Sequence, residues 1–118
     1  MEDLASLQTD IGLKWYLQQQ KKKRNEFQAL PQNLVQPQIS GGTNPAEEAE
    51  TSDGEWSSAT ELSFTYQWQA NGVDIPGANG KRLLLLVGML GQSITCIVRA
   101  TNRFGFKLAV TAAIVVVL

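Results

Sequence analysis

The chain has 118 residues, enough for one ordinary domain and an extension. Its hydrophobic share of 43% supports a packed core, while a formal charge of -1 gives no overall attraction to nucleic acid or anionic membrane. Cys96 is the single cysteine and histidine is absent, which excludes an intrachain disulfide, the usual thiolate and imidazole zinc sites, and the commonest catalytic base.

From Asp3 to about Phe27, Leu4, Leu7, Ile11 and Trp15 recur at three- and four-residue steps, one stripe of a helix with Asp3 as N-cap. Gly12 and the Gln18 to Gln20 run fit equally an extended arm that orders on a partner. Tyr16 and the basic run Lys21, Lys22, Lys23 and Arg24 follow; with Leu4, Leu7, Ile11 and Trp15 they form one candidate partner-binding set. Four cations on a near-neutral chain favour an acidic protein surface over specific nucleic-acid binding. Met1 to Asp10 is acidic and polar, unlike a secretory signal, so the expectation is synthesis and retention in the cytoplasm. Leu30 to Pro37, with two prolines among amides, reads as a linker, placing the domain boundary between 34 and 35.

Beyond it, short strands alternate with turn signals: Gly41-Gly42, Asp53-Gly54, Asn71-Gly72, Pro76-Gly77, Asn79-Gly80 and Asn102 to Gly105. Phe64, Tyr66 and Trp68 alternate with Thr65, Gln67 and Gln69; Ile94, Cys96, Val98 and Ala100 alternate with Thr95, Ile97, Arg99 and Thr101. The first set of each pair is expected inside, with Cys96 as a small apolar core group. The acidic residues Glu47, Glu48, Glu50, Asp53 and Glu55 lack EF-hand spacing and read as a solvated or cation-facing surface, so neither metal nor cofactor is expected.

These residues resemble a known family, the bacterial and phage immunoglobulin-like modules. The resemblance is carried by Phe64-Thr65-Tyr66-Gln67-Trp68, the Ile75-Pro76-Gly77-Ala78 turn, and Ala100-Thr101-Asn102-Arg103-Phe104-Gly105, with Pro37 to Gly41 and Asp53 to Trp56 upstream. It covers Val35 to Leu118 and implies an all-β, immunoglobulin-like antiparallel β-sandwich at 35 to 118; the helical or extended arm expected at 1 to 34 rests on the spacing and composition above, not on the resemblance. It brings no catalytic residue, since such modules serve as spacers, decorations or adhesive surfaces.

The acidic segment departs from the family pattern, and two apolar stretches depart from the expected alternation. Leu83 to Val87 is continuously apolar; if Leu83, Leu85 and Leu90 are buried, Leu84, Leu86 and Met89 point outward as a protein contact. Leu108 to Leu118, too short to span a bilayer as a helix, is expected to be a strand, and its lack of alternation points to a covered second face that includes Val115 and Val117. The expected function is non-enzymatic: a virion accessory protein of a tailed bacteriophage, decorating or cementing capsid, neck or tail through its arm, with other virion proteins or its own copies as partners and no membrane anchor. The competing expectation is a bacterial surface adhesion module that binds carbohydrate or a host protein.

Overall fold

The structure, a computed structural model, describes residues 29–118. The strands form three hydrogen-bonded antiparallel sheets of two, three and five strands; the two smaller ones continue in one register as a single layer, and the two layers enclose one apolar cluster, with no α-helix among the described residues. The architecture is thus all-β and sandwich-like.

That composite layer, the first sheet of the sandwich, contains β1 (Gln32–Val35), β2 (Ile39–Gly41), β3 (Glu48–Thr51), β4 (Glu55–Ser57) and β7 (Arg82–Leu84). β1 pairs with β4, β2 with β3, and β3 with β7. The pairing Val35 with Glu55 and the pairing Ile39 with Thr51 lie in the same register, so β1–β2 and β3–β4 are two long strands, each interrupted once. Across the interruption the Ser52 N–H donates to Gln38 O at 2.8 Å, and the Gln38 N–H donates to Ser52 Oγ at 3.0 Å.

The expected linker is therefore corrected, because Leu30 to Pro37 contains β1 and the expected 34/35 boundary cuts through that strand. Proline was no obstacle. Pro31 precedes β1 and Pro37 occupies the gap before β2, both buried, outside the paired spans where a missing N–H would break the ladder. Opposite the gap, Gly54 has φ +77°, and a Cβ there would lie 2.4 Å from Val35 O, so the close approach of the strands requires glycine.

The second sheet contains β5 (Ser63–Ala70), β6 (Val73–Asp74), β8 (Ser93–Asn102), β9 (Gly105–Val110) and β10 (Ile114–Val115). Its backbone is the β5–β8 pair, unbroken from Ser63 opposite Thr101 to Ala70 opposite Ile94. Asn71 and Gly72, at φ 50° and 80°, close the β5–β6 hairpin with the mirror-image turn that matches strand twist.

The run expected as one strand, Leu108 to Leu118, is instead two. β9 pairs Val110 with Ile97, but β10 pairs Ile114 with Ile94, so one extra residue is inserted between them as a bulge. Thr111 holds it together: its N–H donates to Cys96 O at 3.0 Å, and its Oγ1 accepts the Cys96 N–H at 3.0 Å in place of a ladder carbonyl. Thr111 is buried, so Thr111→Val leaves the Cys96 N–H without an acceptor. Chemical denaturation is expected to show a loss of about 1–3 kcal/mol for Thr111→Val and a much smaller one for Thr111→Ser, which keeps the hydroxyl.

Between the sheets, Ala49, Leu83 and Leu85 meet Trp68, Ile94, Cys96, Val98 and Val116. Phe64 and Tyr66 are partly buried and pack on this cluster. Trp68 is fully buried, and its Nε1–H donates to Gly80 O at 2.8 Å. Tyr66 reaches across to the first sheet, donating its hydroxyl proton to Asp53 Oδ1; Asp53 Oδ2 lies 3.5 Å from Lys81 Nζ. After Leu86 a 3₁₀ turn, Val87–Met89, ends the two-residue period. It reverses one expected pair: Met89 packs against the core, whereas Leu90 is exposed.

Candidate functional site

The outer face of the second sheet carries a row of large apolar side chains. In an antiparallel pair, residues directly opposite share a face. Val98 and Ala100 are buried, and they stand opposite Ala109 and Lys107, so Phe106, Leu108 and Val110 must project from the other face. They are 46%, 55% and 44% exposed, beside Ile97. The Arg99 guanidinium stacks 3.7 Å from the centre of the Phe106 ring, and Arg103 lies 4.8 Å from that of Phe104 at the adjoining turn. A rim of cations around aromatic and aliphatic groups is a composition favoured at protein interfaces.

This row was missed in the sequence reading. Gly105 to Val110 does alternate, but hydrophobicity alone would turn its bulky residues inward. The signal was the pairing with β8, a strand whose inward set was already recognisable.

A second apolar group lies at the end of the sandwich where β7 and β10 finish and β8 begins. Leu84 and Leu86 are 52% and 53% exposed, while Leu83 and Leu85 beside them are buried. Val87, Val115, Val117 and Leu118 are exposed as well. The Val117 N–H donates to Thr43 O at 2.9 Å, and the Ala46 N–H to Leu85 O at 2.8 Å, which fixes the last strand and the β7 exit on one end. A groove of about 320 Å³ runs beside β7, walled by Ile75 to Gly80 and by Leu84, Leu86 and Met89. β7 is bonded to β3 along one side, and the groove follows its other side.

Of the predicted contact residues, Leu84 and Leu86 border the groove, and Val115 and Val117 lie at the same end. Met89 is withdrawn toward the core. Leu4, Leu7, Ile11, Trp15, Tyr16 and Lys21 to Arg24 lie outside the described residues.

The acidic segment faces cations at the surface. Arg82 lies 3.9 Å from Glu48 and 3.8 Å from Glu50, exposed pairs that add little stability but set the charge of the outer face. Among the described residues, no three acidic or cysteine side chains converge as a metal site, and no helix is long and apolar enough to cross a membrane. Burial raises the Cys96 thiol to about 11, so it remains protonated at neutral pH and behaves as a core side chain. Burial and the Asp53 carboxylate likewise push the Tyr66 hydroxyl above its ordinary range.

Comparison with known proteins finds no matching family model, curated protein or solved structure.

Proposed function

We propose that the chain is a non-enzymatic assembly protein built on an immunoglobulin-like sandwich. The strand order supports the immunoglobulin-like assignment: β1–β2, β3–β4 and β7 on one side, and β6, β5, β8 and β9–β10 on the other, with Trp68 at the centre of the core. The particular reading is a virion accessory protein of a tailed bacteriophage that sits on capsid, neck or tail through its N-terminal segment and packs on neighbouring subunits.

The observation that carries the assembly role is the outward row Phe106, Leu108 and Val110. Three large apolar side chains on one exposed sheet face are better matched to a partner than to solvent. A contact of this size is small beside the roughly 800 Å² per partner of a stable complex. It suits a repeated lattice in which many weak contacts act together.

The test is sedimentation of particles from a lysate that encodes the chain. The protein is expected to co-sediment with virions at a fixed copy number. Leu108→Asp should leave its thermal unfolding nearly unchanged while weakening particle association by about 10- to 100-fold, the effect of losing one buried aliphatic contact. A wild-type protein that stays wholly in the soluble fraction overturns the virion reading. Glycan or host-protein binding without particle association would favour the adhesion module instead.

A further inference from the structure

We infer that Asn79, in the loop that leads into β7, is a site of spontaneous backbone modification, closing to a succinimide with the Gly80 nitrogen and opening to aspartate and isoaspartate. The inference concerns the folded chain alone and is independent of the assembly reading.

The sequence offers two Asn-Gly pairs, Asn71-Gly72 and Asn79-Gly80, and glycine in the second position lets its backbone nitrogen approach the carboxamide carbon with no side chain in the way. Only the structure distinguishes them. Asn71 is held twice to Ser93: its N–H donates to Ser93 O at 2.8 Å, and its Oδ1 accepts the Ser93 N–H at 2.9 Å. Its φ of 50°, followed by 80° at Gly72, is fixed by the hairpin turn. Attack by the Gly72 nitrogen requires the carboxamide to leave Ser93.

Asn79 has no such restraint. It is exposed, and among the described residues it is the one asparagine whose carboxamide makes no hydrogen bond. Asn33 donates to Val35 O and Glu55 O, Asn44 accepts from the Thr43 hydroxyl, and Asn102 donates to Ala29 O and Ser58 Oγ. Asn44 is excluded further because Pro45 after it has no N–H to become the nucleophile.

The reaction needs no co-reactant other than water. The Gly80 nitrogen gives up its proton and bonds to Asn79 Cγ, the Cγ–Nδ2 bond breaks, and Nδ2 leaves as ammonia. Water then opens the imide. Cleavage between Gly80 N and Cγ yields aspartate, whereas cleavage between Gly80 N and the Asn79 backbone carbonyl carbon yields isoaspartate, with one extra carbon in the main chain.

That extra carbon falls inside a loop pinned on both sides to Trp68. The Trp68 backbone N–H donates to Ala78 O at 3.0 Å, and its Nε1–H donates to Gly80 O at 2.8 Å, so a longer chain between 78 and 80 displaces these acceptors relative to the buried indole. The new carboxylate also stands in the wall of the β7 groove, which Arg82 shares. The modification therefore reaches both core and surface.

The test incubates the full purified chain at mildly alkaline pH and digests samples over time with a protease that cleaves before aspartate. Cleavage before Asp53 and Asp74 places Asn71 on fragment 53–73 and Asn79 on fragment 74–118. The aspartyl product is cut again before residue 79 and the isoaspartyl product is not, so mass spectrometry counts both. Asn79 is expected to gain one mass unit at least about ten times faster than Asn71, the factor for about 1.4 kcal/mol of added cost at the tethered residue. In strong urea the two rates should converge. Asn79→Gln, whose longer side chain disfavours the five-membered ring, should abolish the gain at that position. Purified isoaspartyl chain should unfold at lower urea than Asn79→Asp, which carries the same charge on a normal backbone; equal midpoints overturn the coupling to Trp68. Comparable rates for Asn71 and Asn79 in the folded chain overturn the site itself, as does an Asn79 that stays unmodified while the urea-unfolded chain reacts.

Discussion

Trp68→Ala is expected to lower the unfolding free energy by about 3–5 kcal/mol, the range for removing a large buried aromatic side chain. Trp68 is fully buried where both sheets meet, next to Leu85, Ile94, Cys96, Val98 and Val116 in one cluster. Its removal leaves a cavity that two sheets held by cross-strand hydrogen bonds cannot readily close. It also removes the indole N–H that binds Gly80 O, which ties the loop before β7 to the core. A domain of this size has a total stability of roughly 5–15 kcal/mol, so the loss is a large share of the whole. Trp68→Phe, which keeps an aromatic body without the N–H donor, should fall between the two. Urea denaturation followed by circular dichroism measures the difference, and a Trp68→Ala midpoint close to wild type would remove Trp68 from the centre of the core.

Raising the pH from about 9 to about 11 is expected to remove on the order of 2 kcal/mol of stability through Cys96. Burial raises this thiol from 9.0 to about 11, so the folded chain keeps a proton that the unfolded chain releases earlier. Between those values the folded state binds more protons, and deprotonation favours unfolding. The stabilisation is complete below pH 9 and is lost as pH rises through the folded value. Tyr66 acts in the same direction beginning near pH 10, because burial, its hydrogen bond to Asp53 and the Asp53 charge all oppose its ionisation. Urea midpoints measured from pH 7 to pH 11 should fall steeply for wild type. Cys96→Ala should flatten the first part of that fall and Tyr66→Phe the later part. An unchanged slope in Cys96→Ala would show that the thiol is not the group responsible.

These two effects belong to the core, whereas the proposed role depends on surfaces that contribute little to it. Leu108 and Leu86 can therefore be made charged with the sandwich intact, which separates assembly from folding. Their faces are also distinct: Leu108 belongs to the outer face of the second sheet, and Leu86 to the rim of the β7 groove.

Alternation along Phe64 to Trp68 and Ile94 to Ala100 was enough to identify β5, β8 and the side chains that meet between the sheets. Asn71-Gly72 marked a hairpin that forms at that point. The outward placement of Leu84 and Leu86 was also legible, because neighbours in a strand must point to opposite faces.

Four features were settled only by tertiary structure. Leu30 to Pro37 became part of a strand because Glu55 to Ser57, distant in sequence, supplies its hydrogen-bond partners. The run Leu108 to Leu118 split because its two halves pair with β8 in registers one residue apart. Met89 and Leu90 exchanged places because a 3₁₀ turn replaced the two-residue period there. Phe106, Leu108 and Val110 faced outward because β8 had already assigned its inward set. The common reason is that alternation determines which side chains share a face, whereas the strand across the ladder decides which face is the core, and that partner is distant in sequence.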